Sequence, residues 1–430
     1  MSGASAGAAE QDAGRYGVPD RWFILSLVSV NYFTLYLHRN LIQYVQPPLI
    51  EDLGLTDTQL GWLDAAFRIA YALAQLGVGY FGDRYRRRTV LIWSLGSSSA
   101  ILAVMGLAQD FSQLLGLRIL LALAQSASVP AIASLMADAF TARSRSRAVS
   151  IYLLSSPISI AVAGWVGGWL ADLTSWRAMF GIFAAFGAAI VGGLHLLLRE
   201  PERTERKRGS GLGTAGGSLW ATLRAVLTVP SFILLGIAYL MTNAAGQLTL
   251  FWLPRYFFEL FEMSSLQEAG KLATLPSQLG TVLGLLIGGV WADHWARRYM
   301  AGRFAVQLIG MLICVPAIAV MSTSHSRWML TAAMFAYGTA SWFYYANLWT
   351  STFDVVDPAA RATAIGLLNV VASVFGAWLS PFVGNLYETG RITSLGTAFL
   401  GTAGLTAVAA GMLGLIIAVT LKRDFKGTAK

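Results

Sequence analysis

The chain is poor in cysteine and in charge. One cysteine, Cys314, rules out an intrachain disulfide and any cysteine-built metal centre. Asp, Glu, Lys and Arg make up 12% of the 430 residues, against roughly 25% in soluble domains, so a large soluble protein with buried core helices is excluded. No glycine-rich nucleotide-binding loop appears, so no ATP-driven pump, no enzyme, no metal and no cofactor are expected. Residues 1–20 are small and polar with no apolar core, so no cleavable signal peptide is expected, and the first apolar run is the insertion signal.

What is abundant is apolar sequence, 56% of the chain. A membrane-crossing helix needs about 20 mostly apolar residues. Twelve runs qualify, at about 22–46, 58–80, 89–108, 111–136, 147–171, 178–198, 228–256, 267–290, 302–322, 328–350, 362–386 and 395–421. The net charge of +9 is not an invitation to nucleic acid, because it is laid out by loop. Arg84, Arg86, Arg87 and Arg88 follow the second run; Arg143, Arg145 and Arg147 follow the fourth. Arg199, Arg203, Arg206, Lys207 and Arg208 follow the sixth, Arg297, Arg298 and Arg303 the eighth, and Lys422, Arg423, Lys426 and Lys430 end the chain. Glu51, Asp52, Asp57, Asp110 and Asp172 occupy the alternate loops. Basic loops stay cytoplasmic, so both termini are expected inside a multi-pass protein of the cytoplasmic (inner) membrane. Its partners are then the bilayer and a small molecule, with no nucleic acid, and a monomer is expected.

The longest polar break divides the runs six and six. Residues 1–21 form an N-terminal tail, 22–198 a first bundle, 199–227 a Gly/Ser-rich cytoplasmic linker, 228–421 a second bundle and 422–430 a tail. An internal repeat supports the division. Gly79-Tyr-Phe-Gly-Asp83-Arg84-Tyr-Arg86-Arg87-Arg88 returns as Gly289-Val-Trp-Ala-Asp293-His294-Trp-Ala-Arg297-Arg298. Arg147-Ala-Val-Ser-Ile is echoed by Arg361-Ala-Thr-Ala-Ile.

These G-x-x-x-D-x-x-x-R-R stretches resemble the cytoplasmic loop motif of the major facilitator superfamily, and the resemblance extends over the whole chain. It implies an all-α membrane protein with twelve transmembrane helices in two pseudo-symmetric six-helix halves, working by alternating access. It also implies a latch at the cytoplasmic ends that holds the outward-facing state, made here by Gly79, Asp83, Arg84, Arg87, Gly289, Asp293 and Arg297. Gly79 and Gly289 are expected to let two helices approach closely. The first copy has Arg86 where glycine is common, and the second has His294 where a cation is common.

Ionisable groups inside a membrane are costly and mark function. Tyr32, Tyr36, Arg39 and Gln43 fall on one face of the first run, with His38 about 100° away. Asp64, Arg68, Tyr71 and Gln75 repeat that spacing in the second, and Arg118 and Gln125 stand two turns apart in the fourth. The three arginines lie roughly 10–15 Å below the outer boundary at 1.5 Å per residue. Against them stands one clear intramembrane carboxylate, Asp64. A guanidinium binds a carboxylate, sulfonate or phosphate through two parallel bonds, so the expected substrate is a small organic anion. Two structural alternatives stay open: Asp64, four residues back, can neutralise Arg68, and backbone carbonyls can hold Arg118. The second half supplies polar and aromatic groups instead, with Asn243, Gln247, Tyr345, Asn347, Asn369 and Ser373 as candidates for hydroxyls or a ring face.

Tyr36-Leu-His38-Arg39, with Leu117-Arg118 through Gln125 to Pro130, resembles the anion–cation symporter branch of sugar-acid and sialin-like carriers. That resemblance implies anion binding by Arg39 and Arg118. The branch's proton-carrying aspartate and glutamate are replaced by His38 and Gln125, which leaves His38 and Asp64 as proton-coupling candidates. Spinster-like lipid carriers share the arginine motif, the Asp83 loop and an ending like Arg199-Glu200-Pro201, and a non-transporting receptor could use the same fold.

Overall fold

A computed structural model describes residues 21–82, 86–198 and 219–426. In hydrocarbon a chain must satisfy its backbone polar groups internally, and each apolar run does so as a helix. The twelve are α1 (Arg21–Asn40), α2 (Asp57–Gly82), α3 (Arg87–Met105), α4 (Phe111–Ala139), α5 (Arg147–Leu173), α6 (Trp176–Leu197), α7 (Pro230–Leu260), α8 (Leu266–Ala296), α9 (Gly302–Thr323), α10 (Arg327–Val355), α11 (Arg361–Glu388) and α12 (Leu395–Asp424). Among the described residues, nine are long and apolar enough to cross a membrane on length and composition alone. The other three, α1, α2 and α10, carry Arg39, Arg68 and Asp64, or a run of tyrosine, serine and asparagine. Their polarity marks them as lining helices. Trp93, Leu196, Val290 and Trp328 are each at least 72% exposed, a surface that only lipid would cover at no cost.

Three details depart from the runs read in the sequence. The first run does not continue to residue 46: α1 stops at Asn40, a 3-10 turn covers Leu41–Tyr44, and a separate helix covers Gln46–Leu53. Pro47 and Pro48 stand in the first turn of that separate helix, where a missing N–H costs nothing, whereas in a helix running on from α1 each would remove an interior hydrogen bond. Gln43 therefore leaves the Arg39 face and donates to the Tyr44 hydroxyl at 2.9 Å. The expected linker, 199–227, ends in a helix, Leu219–Leu227, that buries Val226; its apolar spacing suits one face. Its earlier part lies outside the described residues. In α5 a π turn spans Ala163–Gly167 and includes Gly164, which carries an inter-half contact.

Glycine decides how closely the helices approach. Gly280, Gly284 and Gly288 form an i, i+4 stripe on α8, where an added Cβ would strike α10 at Phe335, Thr339 and Phe343. Gly289 was expected in that role and does not hold it: a Cβ there would meet nothing within 4 Å. One position beyond the stripe turns it about 100° outward.

One end of the bundle carries Arg87, Arg88, Arg147, Arg297, Arg298 and Arg303; the opposite end carries Glu51, Asp52, Asp57, Asp110, Asp172, Glu259 and Glu388. The halves meet near this acidic end. Gly61 of α2 lies on Ser380 and Pro381 of α11, and Gly164 of α5 lies on Gly270 of α8. Under the 210-residue repeat α2 corresponds to α8, and α5 to α11. The two inter-half contacts are therefore the same contact made twice.

Candidate functional site

The helix break at Asn40 places Arg39 in the last turn of α1. Its guanidinium carbon lies 4.6 Å from the Tyr36 ring centre, 4.4 Å from Tyr71 and 5.0 Å from Phe67. Phe67 and Tyr71 are stacked one turn apart on α2, with ring centres 5.9 Å apart. Three aromatic faces around a cation hold it by quadrupole attraction without neutralising it. Nε and Nη2 both reach the same acceptor, Gln125 Oε1, at 3.4 Å. The contact is long and shared, and it is made to a neutral amide.

Arg118 takes the structural alternative. Its Nε donates to the Leu63 carbonyl and its Nη1 to the Arg39 carbonyl, both at 3.0 Å. It is 2% exposed. The last carbonyls of a helix have no partner within it, and the early end of α1 creates such an acceptor at Arg39. Arg118 thus ties α4 to α1 and α2 beneath the site, where its guanidinium sits 4.6 Å from the Phe67 ring.

Arg68 is likewise engaged. Its Nε donates to both Asp64 oxygens at 2.9 and 2.8 Å, and its Nη1 donates to Gln247 of α7. Asp64 also accepts from Ser380 Oγ of α11 at 2.9 Å. This knot joins the halves through one buried carboxylate. Of the three guanidinium groups, Arg68 takes Asp64 and Arg118 takes backbone carbonyls, while the bonds of Arg39 go to the Gln125 amide.

His38 faces away from this cluster, between α3 and α6. Its Nδ1 lies 3.1 Å from Ser98 Oγ and its Nε2 3.1 Å from the Phe183 carbonyl. A carbonyl only accepts, so Nε2 carries the proton and Nδ1 accepts from Ser98. Gln125 Nε2 donates to Ser98 Oγ at 2.9 Å and to the Leu35 carbonyl at 3.2 Å. The donors therefore run in one direction: Arg39 to Gln125, Gln125 to Ser98, Ser98 to His38, and His38 to Phe183.

In the second half, Tyr239 donates to Asn369 Oδ1 at 3.1 Å and Tyr345 to the Thr242 carbonyl at 3.2 Å. Asn243 and Ser373 are half-buried, on α7 and α11. Asn347 is not with them. It is buried against α8 and donates to the Gly288 and Phe343 carbonyls at 3.2 and 2.9 Å, which makes it a packing residue of the α8–α10 contact.

Of the expected latch, Asp83 and Arg84 lie outside the described residues, and so does the side-chain environment of Gly79. Arg87 pairs with Asp138 of α4. Asp293 is exposed and meets Arg303 at 3.2 Å, while Asp354 holds Arg303 more closely, at 2.9 Å. Arg297 is exposed. Sequence reading overlooked Phe67, Ser98 and Ser380. A serine triplet, Ser97-Ser98-Ser99, inside an apolar helix was the available signal for the second. Phe67 and Ser380 carried none.

Comparison with known proteins agrees with this architecture. A "MFS-type efflux pump" from Mycolicibacterium smegmatis is 27% identical over 96% of this chain and 95% of its own length. The "Probable galactarate/D-glucarate transporter GudP" of Escherichia coli is 24% identical over 90% of this chain and 91% of its own. Among solved structures, a bacterial homologue of the human lysosomal transporter Spinster, inward-facing and unoccupied, superposes with a TM-score of 0.73 at 20% identity, covering 94% of this chain and 97% of that one. Residues 28–381 match the family profile, and the chain belongs to the Major Facilitator Superfamily.

Proposed function

We propose that this transporter moves a small organic carboxylate, of the sugar-acid class, and binds its carboxylate at Arg39. One observation carries the reading: Arg39 sits in an aromatic cage with its donors on a neutral amide, beside Arg68, which takes the one nearby carboxylate, and Arg118, which is held by backbone carbonyls. Such a cluster is short of negative charge, and a substrate carboxylate supplies it through a bidentate pair. Gln125 presents Arg39, Arg118 supports the turn that carries it, and Asn243, Gln247, Asn369, Ser373 and Tyr345 receive the hydroxyl-bearing part of the substrate. The sugar-acid relative supports that class.

In the same reading the basic end faces the cytoplasm, the acidic end faces outward, and the protein works as a monomer in the inner membrane. Proton coupling is assigned to His38 in preference to Asp64, because Asp64 is held by Arg68 and Ser380 whereas His38 joins Arg39 through neutral groups.

Binding of D-glucarate to purified protein, followed by calorimetry, tests the site. Arg39→Gln weakens it about 100-fold, and Arg39→Lys restores little because a fork becomes a point charge. Unchanged affinity in Arg39→Gln would exclude the site. Uptake into proteoliposomes with and without an inward proton gradient tests the coupling: accumulation disappears in His38→Gln. If it persists there, the proton is carried elsewhere; uptake that only equilibrates in the parent would make the protein a uniporter or exchanger.

A further inference from the structure

The first turn of a helix leaves four backbone N–H groups without partners inside the helix. At the acidic end, two such turns are completed by a carboxylate from the opposite half. In α8, Ser265 caps its own helix by accepting from Glu268 N at 3.2 Å. The two preceding N–H groups, Leu266 and Gln267, donate to Asp172 at 2.9 Å each, and Ser265 Oγ donates to it at 2.7 Å. Asp172 sits at the end of α5, in the first half.

The same arrangement recurs at α2. Thr56 and Gln59 form a reciprocal capping box, with Gln59 N 3.3 Å from Thr56 Oγ1 and Thr56 N 3.0 Å from Gln59 Oε1. That box leaves Thr58 N unsatisfied, and Glu388 accepts from it at 3.2 Å and from Thr58 Oγ1 at 2.5 Å. Glu388 sits at the end of α11, in the second half. Because α5 corresponds to α11 and α8 to α2, Asp172 and Glu388 are two copies of one device. Both helix starts are positive dipole ends facing a negative charge. The Asp57–Arg255 ion pair, backed by Glu259 on Arg255 at 2.7 Å, closes the same end.

We propose that Asp172 and Glu388 form a pseudo-symmetric pair of inter-half caps that lock the state closed at the acidic end. The carboxylates reach these N–H groups only while the halves touch there. When that end opens, the two helix starts lose their cap and the two acids lose their donors. The lock acts on the conformational equilibrium and leaves the intrinsic substrate contacts alone.

The test is the distance between spin labels at the acidic end, on cysteines replacing the exposed residues Glu51 and Arg391, one in each half, in a Cys314→Ala background. Asp172→Asn and Glu388→Gln each raise the ratio of long to short distances about fivefold. Together they raise it about 25-fold, since distant sites contribute independently. Asp172→Glu retains most of the short population. Asp110→Asn is the control: Asp110 caps α4 at the same end, accepting from Gln113 N at 2.9 Å, wholly inside the first half. It removes the same charge from a helix start without altering the distances. An unchanged distribution in the double variant, or an equal shift in Asp110→Asn, would overturn the proposal.

Discussion

The two halves share one fold but differ in charge. Inside the first half stand Arg39, Arg68, Arg118 and Asp64, and a directional chain of amide, hydroxyl and imidazole leads away from Arg39. The second half answers with neutral groups, Tyr239, Asn243, Gln247, Tyr345 and Asn369. In it the α8–α10 glycine stripe brings two backbones close together. Duplication preserves the helix contacts that make a half fold, because these depend on small residues at fixed spacing. Interior charge is free to diverge, since one charged half is enough to orient an anion. In the proposed reading, recognition is asymmetric on a symmetric scaffold.

Substitutions can break or sharpen that contrast. The largest effect is expected from Asp64→Asn, which leaves Arg68 as an unpaired charge in a buried knot. Removing one partner of such a pair costs about 3 to 5 kcal/mol, and denaturant unfolding in detergent reads it as a lowered midpoint. The double change Asp64→Asn with Arg68→Gln should recover most of the loss; no recovery would mean that Asp64 acts through Ser380 instead.

Next comes the anion site itself. Arg39→Gln should weaken D-glucarate binding by about 100-fold, the loss expected for a desolvated charge-assisted pair. Asn243→Ala, on the neutral side, should weaken it about fivefold, as for a single neutral hydrogen bond. Equal losses in a titration of both variants would erase the asymmetry.

Packing supplies a third comparison. Gly284→Ala forces a methyl into the Thr339 carbonyl and should cost about 2 kcal/mol, seen as a lower melting temperature. Gly289→Ala, five residues along and open on that side, should leave it unchanged.

The smallest effect should come from Ser98→Ala. It removes the hydroxyl that receives the Gln125 amide and reaches His38. Half-saturation for uptake should rise about fivefold with maximal rate preserved, the size of one neutral hydrogen bond, and Ser98→Thr should restore it. An unaltered half-saturation constant would show that Gln125 holds Arg39 without help.

Sequence alone determined the helical class, the apolar runs, the loop charges and the repeat, because hydropathy, helical period and the 210-residue offset are local or periodic properties of a chain. It also reached Arg39 and the Asp64–Arg68 pair, the latter because i and i+4 on a helix must be neighbours. Only the tertiary structure decided among the rest. Arg118 and Arg39 are the same residue type at similar depth, yet one is spent on carbonyls that α1 exposes by ending early, and the other is left in a cage of rings. His38 turned from the cluster toward Ser98 and Phe183, and Asn347 toward α8. Glu388 met Thr58 across 330 positions of sequence. A side chain's partner in a packed bundle is set by which helix faces it, and no spacing along one helix encodes that.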